Sequence, residues 1–188
     1  EVAKTLQAHA DKIGAPFQLA GRDFKINAQG NGGGCLTIPE ETIYFPPPSL
    51  VGSHQIDNAG LALMALNSTR PCAPVGIANA IWPGRVQKLD TGALTKIWPY
   101  QPIWLDGAHN AHGAKALVAT LHTIHNGKWN VICGALNTRD PAEFLAPLTP
   151  LAGRVACLAI PDQDATLSAR EMSDAARYLD LAASPAAT

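Results

Sequence analysis

Three apolar runs, each followed by a stretch with helical spacing, dominate the chain after residue 84. The runs lie at 103–105, 131–133 and 155–160. Apolar strands that alternate with helices are typical of a parallel sheet with helices packed on it, because each crossover returns the chain to the same end of the sheet. The sequence therefore predicts an α/β domain with a mainly parallel, Rossmann-like sheet.

Local start signals support the helices of this part. Asp140 precedes a proline and lies three residues before Glu143, and Ser168 lies three residues before Glu171. Such side chains accept hydrogen bonds from the free amides of a first helical turn. We therefore expect one helix to start after Asp140 and another after Ser168.

The first part of the chain has a different pattern. Val2, Leu6 and Ile13 predict a helix that ends at Gly14. Further along, short strands are predicted at 17–19, 22–26, 35–38 and 42–45, and helices at 52–66 and 74–80. The sequence Trp-Pro-Gly at 82–84 breaks any regular element. We therefore place a boundary there, with one domain at 1–82 and a second at 83–188.

The charge balance excludes several functions. The chain has 14 Lys and Arg against 15 Asp and Glu, a net charge of −1, so it lacks the basic character of a nucleic-acid-binding protein.

No apolar run approaches the ~18 residues of a membrane span, and no signal-peptide pattern opens the chain. We expect a cytoplasmic protein with no membrane contact. The sequence begins in a helical pattern without Met, so we expect a fragment or a processed product.

Four cysteines, Cys35, Cys72, Cys133 and Cys157, are far apart and form no Cys-x-x-Cys pair. This spacing argues against a zinc site and against a disulfide framework. Cys133 and Cys157 lie in apolar runs, so we interpret them as core residues in a reducing compartment.

The sequence DGAHN at 106–110 is the first candidate for a functional site. It follows a predicted strand and enters a predicted helix, and ligands of parallel sheets bind at such strand ends. Asp106, His109 and Asn110 would present a carboxylate, an imidazole and an amide together. Asn110 alone could be a helix cap. Asp106, His109 and His112 could also hold a metal, although the spacing offers no fourth ligand.

Three further segments carry candidate residues. Arg85 could bind phosphate oxygens, or could be a surface residue near a linker. His54 and Asn58 share one face of a predicted helix, and an Asn amide can read the edge of a purine or serve a structural role. Arg139 follows the second apolar run and could contact an anion, whereas Asp140 is interpreted as a cap.

The chain has no phosphate-binding loop of the GxxxxGK[ST] type. The glycines at 32–34 precede no helix and no Lys-Ser or Lys-Thr pair. A single Gly-Lys pair occurs, at 127–128, and a Trp follows it. A triphosphate would therefore need a loop from elsewhere.

The order of four motifs is informative: GSHQIDNA at 52–59, WPGRVQ at 82–87, LDGAHN at 105–110 and GALNTRD at 134–140. In this order they resemble the folylpolyglutamate synthase/dihydrofolate synthase family, whose members are Mur-ligase-like. The resemblance covers residues 1–183 and corresponds to the back half of such an enzyme. It implies the end of a central ATPase domain at 1–82, incomplete and without its phosphate loop, and a C-terminal Mur-ligase-like α/β domain at 83–188.

The resemblance also implies a reaction and a set of roles. Such an enzyme uses ATP and Mg²⁺ to join L-glutamate to dihydropteroate or folate through an acyl phosphate. By analogy Asn58 would contact the adenine, Arg85 the γ-phosphate and Asp106 the ribose, with His109 beside the nucleotide. Arg85 and His109 would be the catalytic residues.

The chain also departs from the family pattern. The phosphate loop, the magnesium ligands and most of the folate pocket would lie upstream of the chain, and Arg139 stands where the family usually has Lys. We therefore expect no ligase activity from the chain alone, and self-association through apolar surface, for which the helix after His54 is a candidate. The alternatives are a non-catalytic binding module derived from the family and a metal-dependent hydrolase.

Overall fold

The computed structural model describes residues 1–66 and 73–186, so Cys72 lies outside the described residues. The chain divides into two compact units, Glu1–Trp82 and Pro83–Thr188. The elements of the first unit are α1 Val2–Ile13, β1 Lys25–Ala28, β2 Gly34–Thr37, β3 Thr42–Phe45, α2 His54–Ala65 and α3 Ala73–Asn79. Those of the second are β4 Gln87–Leu89, α4 Ala93–Ile97, β5 Ile103–Leu105, α5 Ala111–Ile124, β6 Trp129–Cys133, α6 Pro141–Leu145, β7 Ala152–Cys157, α7 Ala169–Tyr178 and β8 Ala182–Pro185.

The first unit is built on an antiparallel sheet of order β1-β2-β3 with α2 packed against it. Its core contains Leu36 and Phe45 from the sheet and Leu63 from α2. The helix approaches β1 closely because residue 60 is Gly: a Cβ there would lie 2.6 Å from the side chain of Ile26. A small residue on this helix face is therefore what allows the two elements to meet.

Most of the sequence predictions for this unit agree with its elements. The first helix ends at Gly14, whose φ of 68° is the left-handed conformation that glycine adopts readily. The strands expected near 35–38 and 42–45 are β2 and β3. The strand expected at 22–26 forms at Lys25–Ala28. No strand forms at 17–19, and the next residue, Ala20, makes only an isolated bridge with Phe24. The expectation at 17–19 was wrong because an apolar run of three residues is too short to define a strand.

The second unit contains a parallel sheet of order β6-β7-β8 and, separately, an antiparallel pair of β4 and β5. Its core joins Leu145 of α6, Val155 and Cys157 of β7 and Met172 of α7, all nearly inaccessible to solvent. The Ser168 hydroxyl accepts a hydrogen bond from the Glu171 amide, and the Glu171 carboxylate accepts one from the Ser168 amide, so the expected capping box is present.

Two sheet predictions were wrong. The run at 103–105 was expected in the parallel sheet, yet β5 pairs antiparallel with β4, with Gln87 opposite Leu105. The third parallel strand is instead β8, which has small residues and a proline and so gives no strand signal. The apolar run at 131–133 indicates a buried strand, but Ile132 is 74% exposed, so β6 leaves one face open to solvent.

A second apolar cluster of this unit contains Val86, Leu121 and Leu151. Trp104 and Trp129 pack against it, and their two rings meet edge to face. Val86 lies directly before β4, and its buried side chain holds the start of the antiparallel β4–β5 pair against this cluster. Among the described residues, no helix combines the length and apolar character needed to cross a membrane.

Candidate functional site

Two turns of the second unit are joined by hydrogen bonds. The first precedes β4 and contains Arg85, and the second follows β5 and begins at Asp106. The Val86 amide donates to Asp106 Oδ2 at 2.9 Å, and the Gly107 amide donates to the Gly84 carbonyl at 2.8 Å. These two bonds continue the β4–β5 pairing beyond the last strand residues. The sequence motifs at 82–87 and 105–110 therefore form one structure.

The turn that contains Arg85 has an unusual backbone. Gly84 and Val86 on either side of Arg85 have positive φ angles of 75° and 43°. Val86 is β-branched, and such residues rarely adopt this conformation because the Cβ crowds the backbone. The Gln87 side chain closes the turn by accepting a hydrogen bond from the Gly84 amide at 2.9 Å. Positive φ at a non-glycine residue is the kind of strain that occurs at functional sites.

The Arg85 side chain is exposed and makes no hydrogen bond or ion pair with any residue that the structure describes. Its guanidinium therefore keeps all five N–H donors for a ligand. An exposed guanidinium on a constrained backbone is suited to bind phosphate oxygens through two donors at once.

Asp106 uses both carboxylate oxygens within the site. Oδ2 accepts from Val86 as described, and Oδ1 accepts from the Ala108 amide at 2.8 Å. Each oxygen has a second lone pair, so the carboxylate could still accept a hydroxyl of a ligand. The side chain is half-buried, which leaves one side of it open to solvent.

His109 follows in the same turn. Its Nδ1 lies 2.9 Å from the Gly107 carbonyl oxygen, which can only accept, so Nδ1 carries the proton and Nε2 is the acceptor in the neutral ring. The ring is exposed. The next residue, Asn110, caps α5 by accepting from the Gly113 amide at 2.8 Å, as one of the two sequence interpretations had it.

His112 is exposed on α5, one turn beyond His109. Within residues 1–66 and 73–186, no three or more His, Cys, Asp or Glu side chains are grouped so that they could hold a metal ion. The trio Asp106, His109 and His112 is thus not assembled as a metal site.

Asn58 lies in the first unit, on an exposed part of α2. Its Nδ2 donates to Gln55 Oε1 at 3.0 Å, and Gln55 Nε2 in turn lies 3.0 Å from His54 Nε2. A groove of about 420 Å³ on this unit is lined by other residues, among them Lys25 and Asp57. The His54 and Asn58 side chains are therefore joined through the buried Gln55 and do not line that groove.

The segment 134–140 follows β6. Asp140 caps α6 by accepting from the Ala142 amide at 2.9 Å, as expected, and Arg139 is exposed. The sequence placed this segment at the same sheet edge as Asp106, but the strand before Asp106 belongs to a different pairing. At the end of β6, burial and the neighbouring Cys157 thiol raise the pKa of Cys133 to about 12, so this thiol stays protonated.

No family model matches the chain. Over 166 residues it is 28% identical to dihydrofolate synthase/folylpolyglutamate synthase of Bacillus subtilis, covering 81% of the chain and 37% of that protein. Over 152 residues it is 31% identical to UDP-N-acetylmuramoyl-L-alanyl-D-glutamate--2,6-diaminopimelate ligase of Corynebacterium efficiens, covering 76% and 28%. The structure of E. coli FolC in complex with DHPP and ADP matches with a TM-score of 0.78 at 23% identity, covering 98% of the chain and 42% of that protein.

The chain is thus similar both to folylpolyglutamate synthases and to a Mur ligase, and its mixed α/β fold with a parallel sheet agrees with that of FolC. The relatives and the solved structures support the folylpolyglutamate synthase/dihydrofolate synthase family that the four motifs predicted, and the mixed α/β fold class is confirmed. The chain spans less than half the length of the relatives it matches, which is consistent with the C-terminal half of such a protein.

Proposed function

We propose that this chain is part of an ATP-dependent ligase that adds L-glutamate to dihydropteroate or a folate. Within that ligase, the chain would supply side chains that contact the bound nucleotide. The observation that carries the proposal is the hydrogen-bonded pair of turns, which holds Arg85, Asp106 and His109 in one structure. Relatives named as folylpolyglutamate and dihydrofolate synthases support the same reaction. Because the chain covers only part of them, the activity is proposed for a ligase of which this chain forms a part.

The reaction we propose has two steps. A carboxylate oxygen of the pteroate or folate attacks the γ-phosphorus of ATP, the bond to the leaving ADP breaks, and an acyl phosphate forms. The glutamate amine then attacks the acyl carbon, phosphate leaves, a proton is released and an amide remains. Arg85 would offset the charge that builds up on the transferring phosphoryl group. Its constrained backbone and unpaired guanidinium support this role.

The other candidate residues would bind the rest of the nucleotide. Asp106 would accept a ribose hydroxyl through the lone pairs that its backbone bonds leave open. His109 would lie beside the phosphates, with Nε2 toward the ligand because Nδ1 bonds to the Gly107 carbonyl. In the first unit, considered by itself, the Asn58 amide has an oxygen that can accept from an adenine amino group.

Mg²⁺ does not fit the described residues of this chain. A magnesium site uses one or two carboxylates together with phosphate oxygens and water. We assign the open lone pairs of Asp106 to the ribose, and the described residues contain no group of three or more His, Cys, Asp or Glu side chains that could hold a metal ion. We therefore propose that the cation is held by another part of the ligase, and no step here depends on it.

A nuclear magnetic resonance titration of the isolated chain with ATP tests the nucleotide site. We expect amide shifts confined to 84–87 and 106–110 and a Kd in the millimolar range, about 4 kcal/mol of binding free energy, because no phosphate loop is present. Arg85→Ala should abolish the shifts, whereas Arg139→Ala, an exposed arginine of the same unit, should not. The absence of shifts at 84–87 and 106–110, or an unaffected Arg85 variant, would refute the site.

Two activity measurements test the proposed reaction. The isolated chain should show no ATP-dependent addition of glutamate to dihydropteroate or folate. Clear turnover would refute the expectation that the chain is inactive on its own. A chimera in which the chain replaces the matching part of the Bacillus subtilis synthase should turn over, and Arg85→Ala in the chimera should abolish turnover. A folded chimera that binds ATP without turnover would favour a non-catalytic module instead.

We also propose that the isolated chain self-associates through the first unit. The side chains of Val2, Leu6 and Ile13 on α1 are 73%, 53% and 61% exposed, and Leu61 of α2 is exposed as well. Exposed apolar side chains of this number on one unit favour association. Sedimentation velocity should show a mass that rises with concentration and falls for Leu6→Lys. A monomer at high concentration would contradict the proposal.

A further inference from the structure

The Asp106 carboxylate holds the backbone next to each of the two proposed catalytic residues. Its Oδ2 accepts from Val86, the residue directly after Arg85, at 2.9 Å. Its Oδ1 accepts from Ala108, the residue directly before His109, at 2.8 Å. A single side chain therefore links two turns that are about twenty residues apart in the sequence.

The turn around Arg85 needs such support. The φ angle of 43° at Val86 is held against the ordinary preference of a β-branched residue. Two interactions act directly on Val86: its side chain is 5% exposed in an apolar cluster, and its amide bonds to a carboxylate, which is a stronger acceptor than a neutral group. Without the carboxylate, Val86 would keep its apolar contacts but lose the hydrogen bond of its amide, and only the bonds at Gly84 would still hold the turn.

We propose that Asp106 is the positioning residue of this site: it sets the placement of Arg85 relative to His109, in addition to any contact with the ribose. This inference rests on the proposed function for the roles of Arg85 and His109. The contact with a nucleotide would use lone pairs that the two backbone bonds leave open, so one carboxylate can perform both tasks.

Inorganic tripolyphosphate is the probe that separates the two tasks, because it has no ribose. Removing a negative charge beside an anion site should strengthen the binding of tripolyphosphate if charge alone matters. Loss of positioning should weaken it, because Arg85 would no longer be held toward the phosphates. The two explanations thus predict changes of opposite sign.

The experiment measures tripolyphosphate binding by the isolated chain and by Asp106→Ala and Asp106→Asn. We expect Kd to rise about fivefold for Asp106→Ala and less for Asp106→Asn, which keeps one acceptor. Arg85→Ala should weaken binding in the natural chain but have no further effect in Asp106→Ala. Unchanged or tighter binding in both Asp106 variants, or additive effects of the two substitutions, would overturn the proposal.

Amide hydrogen exchange provides a readout that does not depend on binding. In Asp106→Ala, exchange at Val86 and Ala108 should accelerate about tenfold, while the β6–β7 amides stay protected. Asp140→Ala is the matched control, because it removes the carboxylate that accepts from Ala142 and should leave Val86 and Ala108 unchanged.

The two proposals fail in different ways. If the natural chain binds neither ATP nor tripolyphosphate, the proposed function fails, and exchange at Val86 and Ala108 decides the positioning role alone. If those two amides exchange at the natural rate in a folded Asp106→Ala variant, the positioning role is wrong whatever the chain binds.

Discussion

Val86 gives the sharpest test of the backbone on which the site is built. Replacing a buried residue by Ala normally leaves a more stable protein than replacing it by Gly. At an ordinary buried position this advantage is about 1.5 kcal/mol: about 0.8 for one buried methyl group and about 0.7 for the conformational freedom of Gly in the unfolded chain. Val86 is buried, but its φ is 43°.

A residue with a Cβ pays about 1–2 kcal/mol for the left-handed conformation, and Gly does not. This cost falls on Val86→Ala and is absent from Val86→Gly, so it offsets the ordinary advantage of Ala. We therefore expect the two variants to have free energies of unfolding within about 0.5 kcal/mol of each other. Both should be less stable than the natural chain, because both lose packing against Leu121 and Leu151.

Unfolding in guanidinium chloride, followed by tryptophan fluorescence, measures the difference. Trp104 and Trp129 pack against the Val86 cluster, so their signal reports the second unit. The control is Ala114→Gly: Ala114 is fully buried within α5, and its replacement should cost about 1.8 kcal/mol. If Val86→Ala exceeded Val86→Gly in stability by as much as Ala114 exceeds its Gly variant, residue 86 would not be strained and the reasoning about the turn would be wrong.

Three further predictions concern the second unit. Met172→Ala, in the core, should lower the free energy of unfolding in urea by about 2–5 kcal/mol, whereas Tyr178→Ala, exposed on the same helix, should change it by less than about 0.5; equal effects would contradict the core assignment. Ser168→Ala should cost about 1 kcal/mol near pH 7. Hydrogen bonds from Ser168 lower the pKa of Glu171 below its ordinary 4.5, so this stabilisation is present above pH 4.5 and is lost as the pH falls through the lowered pKa. The difference in Tm between the two chains should therefore shrink in acid, and a difference independent of pH would contradict the capping box. Because the pKa of Cys133 is about 12, iodoacetamide at pH 8 should leave this residue unmodified in the folded chain and alkylate it in denaturant, as peptide mass spectrometry can show; rapid alkylation of the folded chain would refute the burial of the thiol.

Features set by neighbours in the sequence could be predicted, because their interactions span only a few residues. The Ser168 and Glu171 pair and the Asp140 cap are examples, since each is complete within one helical turn. Strand partners could not be predicted in the same way. The run at 103–105 has three residues, and nothing in them specifies a parallel or an antiparallel neighbour. Strand β8 gave no signal because small residues and proline have low strand propensity.

The corrected pairing of β5 explains why the Arg85 and Asp106 turns meet. With Gln87 opposite Leu105, an antiparallel register puts residue 86 opposite residue 106, and the bond from the Val86 amide to Asp106 forms at that next position. In the parallel sheet that the sequence predicted, β5 would not pair with β4, and nothing would place Asp106 beside residues 84–87. The residue types thus identified the two motifs in the sequence. The contact between the motifs depends on the antiparallel register of β4 and β5, which pairs residues some twenty positions apart. A change that shifts this register by one residue would move Asp106 away from Val86 while every residue named in the motifs stayed in place.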